Sequence, residues 1–418
     1  MQRWHREYCL PVRHLGGEAS SVFAYTDELD RWLRDRDANP AVGSIQSKPS
    51  SLPFQAPSVE EVQTGAPAQT SVTDEFGKRR AAELVCQGQK LWQTLSSSNL
   101  GIIARTFREA TDLDASNALA FAGLSQALIA QVVLGKLHPS GALHTAEAAL
   151  RRATEIEPDL FEAKCAEALL KTLLVRDWSG AQRLLDEALL DRPNVSQALV
   201  GRALLSVAEN SLADASEFLR QASAERPLNS SVAELLCWVE YLSGRFDSTL
   251  AIIADARETG HSGAILDTVE ALCGVFIAGP TKQIERLETL TASCPRNEAM
   301  LGVLGFAYGK TEQTKAARDI TESLTRLGLA GTYDFAYPIA LTLLGLKERA
   351  EAIKWLEQSY SYGSLWSLGF GSDPMLAELR RDPAYRDFFG AARYPRADLQ
   401  LEGKQHTSFE RSPMPFSA

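Results

Sequence analysis

The chain has 418 residues, a formal net charge of −10 and six cysteines. That acidic balance excludes a protein that coats nucleic acid over its whole surface, which would need a broad basic face. Cys9, Cys86, Cys165, Cys237, Cys273 and Cys294 are scattered, with no C-x-x-C pair and no histidine at ligand spacing, which argues against a disulfide framework or a metal site and for reduced thiols.

The chain opens on Met1-Gln2-Arg3-Trp4-His5-Arg6-Glu7. This stretch lacks the apolar core of a signal peptide, and no later apolar run approaches the roughly twenty residues of a membrane span, so no membrane and a cytoplasmic location are expected. Residues 1–17 carry Arg3, Arg6 and Arg13 with His5 and His14 against one acid, Glu7. This basic patch makes Arg3, His5, Arg6 and Arg13 candidate contacts to DNA phosphates. Residues 1–36 resemble the second half of an excisionase- or MerR-type winged helix-turn-helix. The end of a recognition helix runs through Trp4, a hairpin wing turns around Gly16-Gly17, and a helix begins at Thr26 with Glu28 and Leu29. The resemblance implies DNA binding, and its first helix and turn would lie upstream of residue 1. The element is then either continued upstream, a decayed remnant, or simply a weakly ordered hairpin and helix.

Residues 37–75 read as a disordered tether, with Pro40, Pro49, Pro53, Pro57 and Pro67 among many serines, threonines and glutamines. Beyond it a ruler appears. Pro158, Pro193 and Pro227 stand 35 and 34 residues apart, and Pro295 follows after 68, twice 34. Each ends an amphipathic run. Glycine-containing breaks at Gly260–Gly263, Gly328–Gly331 and Tyr362-Gly363-Ser364 fall on the same spacing. Between marks, two apolar-periodic helices of about 13 residues flank a polar turn, as at Trp178-Ser179-Gly180 or Ser243–Asp247. In the second helix, Ala181 and Ala188 recur as Ala215 and Ala222, with Ala256 and Ala317 in later units, and Leu185, Leu219, Ile253 and Leu287 lie between such small residues. Alanine lets backbones approach and leucine fills the remaining space.

In period, in its small-large-small second helix and in its closing proline, the chain resembles the tetratricopeptide repeat family over residues 76–393, in about eight units and a C-terminal cap. The resemblance implies an all-α, right-handed α-solenoid. The stretch from Ser372-Asp373-Pro374 to Phe388-Phe389 is similar to the closing element of bacterial tetratricopeptide proteins of the sensor-regulator kind. Leu376, Leu379, Tyr385, Phe388 and Phe389 are expected to cover the apolar end of the stack. Residues 394–418 are polar and expected to be disordered.

No phosphate-binding, dinucleotide, nucleophile-elbow or zinc-protease motif occurs. Gly369-Phe370-Gly371-Ser372 reads as the turn into the cap. No catalytic residue, metal or cofactor is expected, and an enzyme is not. A solenoid offers one usable surface, the concave groove lined by first helices. Steps of three and four residues place there Val200 and Leu204, then Glu234, Trp238 and Tyr241, then Thr268 and Leu272, Gly302 and Phe306, and Tyr333 and Ala336. This apolar, aromatic lining suits an extended or helical apolar segment of a partner protein, although any one aromatic taken singly is more readily an inter-repeat core residue. Two functions follow: a protein-interaction scaffold, or a DNA-binding regulator whose repeats sense a partner or oligomerise.

Overall fold

A computed structural model of the chain describes residues 13–14, 22–23, 70–93, 99–225, 230–294, 297–329, 331 and 335–393. The chain divides into two units, Met1–Ala66 and Pro67–Ala418. In the first, strands β1 (Arg13–His14) and β2 (Val22–Phe23) pair antiparallel, with Arg13 opposite Phe23 and His14 opposite Val22.

The second unit is a stack of helix pairs. They are α1 (Thr70–Gln93) with α2 (Leu100–Leu113), α3 (Ala118–Val133) with α4 (Pro139–Ile156), and α5 (Phe161–Leu170) with α6 (Trp178–Asp191). There follow α7 (Ser196–Ala208) with α8 (Leu212–Glu225), α9 (Ser230–Leu242) with α10 (Phe246–Glu258), and α11 (Ala264–Ala278) with α12 (Pro280–Ser293). The last are α13 (Glu298–Lys310) with α14 (Thr314–Leu329) and α15 (Ala336–Gly345) with α16 (Arg349–Ser361). The first helices from α5 to α13 start 35, 34, 34 and 34 residues apart. Each packs on its own second helix and, along most of the stack, on the next first helix. The fold is an α-solenoid of the tetratricopeptide type, as the sequence implied.

The repeat has a physical basis in each second helix. Ala146, Leu150 and Ala153 recur as Ala181, Leu185 and Ala188, as Ala215, Leu219 and Ala222, and as Thr249, Ile253 and Ala256, all buried. The small residues bring two helix backbones together and the branched one fills the hole between them. Where the first helices of the last two units meet, glycines play this part. A Cβ on Gly302 would overlap Pro338, and one on Gly309 would overlap the Gly345 backbone.

The turn inside each unit is equally regular. Gly135, Arg176, Asn210, Gly244, Gly279, Glu312 and Lys347 all take positive φ, at the end of successive first helices from α3 to α15. A left-handed residue closes a helix by turning its last carbonyls toward following amides. The turn expected at Trp178–Gly180 lies two residues earlier. The end of the first helix widens into a π-helical stretch over Lys171–Val175, Arg176 is left-handed, and Asp177 caps α6 by accepting from the Gly180 amide at 2.9 Å. At the other end of the stack α1 begins at Thr70, inside the stretch expected to be a tether. From Glu75 on, its first buried residue is Ala81; helix hydrogen bonds are local and extend beyond the packed residues, which composition does not reveal.

After α16 the chain does more than cover the last unit. It continues through α17 (Leu365–Leu368), a 3₁₀ turn (Pro374–Leu376), α18 (Ala377–Arg381) and α19 (Arg386–Arg393). Leu376 and Leu379 are fully buried, and Tyr385, Phe388 and Phe389 pack partly buried against the same core. Along the way the segment meets residues of units far back in sequence. Arg176 donates to the Tyr360 carbonyl and to Ser367 Oγ, both at 3.1 Å, with its guanidinium 3.6 Å over the Tyr360 ring. The Trp366 ring stacks on Tyr337 and stands edge-on to Trp238. Ser372 bonds Asn210. The expected end cap is therefore also a strap across the first-helix face.

Candidate functional site

The strap divides the first-helix face into a covered and an open part. The covered part is held by Asp373. This buried carboxylate accepts from Tyr241 Oη at 2.7 Å, from Tyr337 Oη at 2.5 Å and from the Met375 amide at 3.0 Å. Burial pushes its pKa up, against the pull of those hydrogen bonds. Arg380 ties down the same turn by donating to the Asp373 carbonyl at 2.6 Å and the Phe370 carbonyl at 3.1 Å. Gly369 allows the close approach, since a Cβ there would meet Trp238 and Leu242 at 2.9 Å.

The open part is a cleft of about 600 Å³. First helices of successive units supply its walls, including Leu119 and Ile129 of α3, Val200 and Leu204 of α7, Glu234 of α9 and Ile265 of α11, and Leu365 and Trp366 of the strap close one side. Several of its polar groups are engaged with one another. Gln197 donates to Gln126 at 3.2 Å. Asn297 accepts from Thr268 Oγ1 and from the Met300 amide, both at 3.1 Å, and donates to the Ala264 carbonyl at 3.0 Å. Arg192 lies 3.7 Å from Glu162 and 4.6 Å over the Phe161 ring.

Glu234 is different. Among the described residues it has no hydrogen bond or ion pair, and burial, reinforced by Asp267, pushes its carboxyl up to about 8. Six residues on, Glu240 is fully buried and accepts from Ser216 at 2.6 Å, Arg220 at 2.8 Å and Arg245 at 2.6 Å. Burial pushes Glu240 up too, but Arg245, Ser216 and Arg220 together outweigh it and hold the carboxyl below its ordinary value.

The residues expected to line the groove separate accordingly. Val200, Leu204, Glu234 and Thr268 line the cleft. Trp238, Tyr241 and Leu272 do not. They are fully buried, and the expectation for them is corrected: the strap roofs the first two, and Leu272 belongs to the inter-repeat core. Phe306, beneath Lys310 Nζ at 5.4 Å, borders a separate small cleft of about 120 Å³. Gly302 and Ala336 are buried between helices. Tyr333 lies outside the described residues, as do Arg3, His5 and Arg6, while Arg13 falls on β1. Leu365 and Trp366 were not foreseen. Their place in the cleft depends on a chain reversal that no local pattern announces.

Among the described residues no group of three or more His, Cys, Asp or Glu is placed to hold a metal, and no helix is long and apolar enough to cross a membrane. The described cysteines are unpaired, with Cys165, Cys237 and Cys273 buried and Cys86 and Cys294 exposed.

No family model and no curated protein matches the chain. Solved structures do resemble it. The APC/C hetero-tetramer Cut9–Hcn1 aligns with a TM-score of 0.50 at 15% identity, over 76% of this chain and 58% of that one. Yeast Tom70 aligns with a TM-score of 0.42 at 15% identity, over 79% and 70%. A tetratricopeptide repeat protein from Parabacteroides merdae aligns with 0.39 at 13% identity, over 54% and 82%. At these identities the likeness is one of fold alone; the tetratricopeptide-type α-solenoid is read from the helix pairs themselves.

Proposed function

We propose that the chain is a non-enzymatic protein-interaction scaffold whose cleft receives an apolar segment of a partner protein. The observation that carries this reading is the cleft itself: an opening of about 600 Å³ with mostly apolar walls, on the face where the first helices of successive units converge. Its size suits a few side chains of an inserted segment, and its mostly apolar walls offer them contact. A photo-crosslinking amino acid at Gln197, in the cleft wall, tests it against one at Leu190, which is 84% exposed on the second-helix side. The expected result is a polypeptide cross-linked from Gln197 and lost in Val200→Arg. Cross-links that form equally from Leu190, or that survive Val200→Arg, overturn the reading.

A second reading, DNA binding through residues 1–36, rests on the basic residues Arg3, His5, Arg6 and Arg13 of the sequence. Fluorescence anisotropy of a labelled random-sequence duplex against the full chain tests it. Binding that weakens with added salt and with Arg13→Ala is expected, and salt-independent binding or none overturns it.

A further inference from the structure

Glu234 makes the cleft selective. We infer that the segment it receives carries one cation, a lysine or arginine among apolar residues, whose charged head lies against the Glu234 carboxylate; this rests on the scaffold reading above.

The first ground is the room kept for the carboxylate. A Cβ built on Gly263 would fall 1.4 Å from Glu234 Oε1. The Gly263 backbone is extended, with φ 171°, a conformation any residue adopts. What this position uses is therefore the missing side chain, and the space it leaves is filled by a carboxyl group that makes no hydrogen bond or ion pair among the described residues. Burying such a group without a partner costs free energy. The same helix shows the alternative at Glu240, where a serine and two arginines satisfy the carboxylate.

The second ground is the charge around it. The cleft residues that α9, α11 and α13 and their preceding turns supply include a second carboxylate, Glu298, and no lysine or arginine. Asp267, the acid that acts on Glu234, is itself engaged by Arg257 at 2.9 Å. The basic residues of the cleft, Lys136 and Arg192, come from earlier units. This part of the cleft thus complements a positive group. The apolar wall beside it, from Val200, Leu204, Leu235 and Ile265, suits the methylene stem of a lysine or arginine and its apolar neighbours. A lysine or arginine placed there draws the Glu234 proton off to solvent and pairs with the carboxylate that remains, a contact that an apolar or acidic residue at the same place does not make.

Random heptapeptides displayed on phage and selected on the full chain test this, with Val200→Arg as a blocked-cleft control and Glu234→Gln as a near-isosteric variant. The expected pool is apolar with a single lysine or arginine, and its binding is lost in Val200→Arg. The best peptide is expected to weaken about tenfold or more on Glu234→Gln, and equally on the unaltered protein when its own basic residue becomes glutamine. The peptide-side arm needs no protein variant to fold. Peptides that need an open cleft but carry no basic residue, or ignore Glu234→Gln, overturn the inference and leave the scaffold reading standing. Peptides indifferent to Val200→Arg, or no enrichment at all, overturn both.

Discussion

One helix, α9, crosses both halves of the first-helix face, and its two ends follow different physical rules. Toward its C-terminal end Trp238, Glu240 and Tyr241 are fully buried: the Trp238 ring stands edge-on to Trp366, Tyr241 donates to Asp373, and two arginines meet Glu240. Near its N-terminal end Ser231, Glu234 and Leu235 face a cleft, and the Glu234 carboxyl has no hydrogen bond or ion pair among the described residues. The covered end is built to stay shut, since a buried network is stable only when each member is satisfied. At the open end the unpaired carboxyl is accommodated by keeping its proton. A satisfied and an unpaired carboxyl thus lie about 1.7 turns apart on a single helix.

Substitutions test this contrast, the largest effect first. Asp373→Ala strips the acceptor from two buried tyrosine hydroxyls and one amide, and a loss of about 3–5 kcal/mol is expected in chemical denaturation. A loss below about 1 kcal/mol would mean that the strap is not held by this carboxylate. Glu240→Gln removes the charge that two arginines and a serine satisfy, and about 2 kcal/mol should be lost. Were that substitution neutral, the distinction between the two glutamates would collapse.

Glu234→Gln is expected to act in the opposite direction. The folded carboxyl holds its proton to about pH 8, while the unfolded one releases it near 4.5. Folding therefore takes up a proton between those values, so this group's contribution is complete below pH 4.5 and is lost as pH rises through 8. Each unit of such a shift corresponds to about 1.4 kcal/mol, reduced by solvent access to the cleft. The variant should be more stable than the unaltered chain at pH 8 by about 2 kcal/mol and equal to it near pH 4. A pH-independent difference between the two would show that the carboxyl is not desolvated. The smallest effect belongs to the turns. Lys347 holds φ 65°, which a side chain disfavours by about 1 kcal/mol, so Lys347→Gly should gain about 0.5–1 kcal/mol of stability in a thermal melt. A loss there would mean that the lysine side chain contributes more than its backbone costs.

The fold was largely legible because it is local and repeated. A 34-residue spacing of helix breakers, with alanine and leucine in fixed register on each second helix, specifies a pair that can bury its apolar stripe only against its neighbours. The register of the face was legible too: Val200, Glu234 and Thr268 are 34 residues apart and all reach the cleft. Leu204, Trp238, Leu272 and Phe306 share the same spacing, yet of these only Leu204 does.

Periodicity treats equivalent positions alike, so it sets the helix pairs, their stacking and the side of each helix that points inward. Which inward positions remain open was decided by tertiary structure alone. The strap reaches back some 190 residues to place Ser367 on Arg176, and 132 to place Asp373 on Tyr241. Contacts at that separation depend on the curvature of the whole stack, which no window of a few dozen residues contains. A carboxylate can be seen in a sequence. Whether it is satisfied, as at Glu240, or waiting, as at Glu234, is fixed by the side chains that folding brings within 3 Å of it.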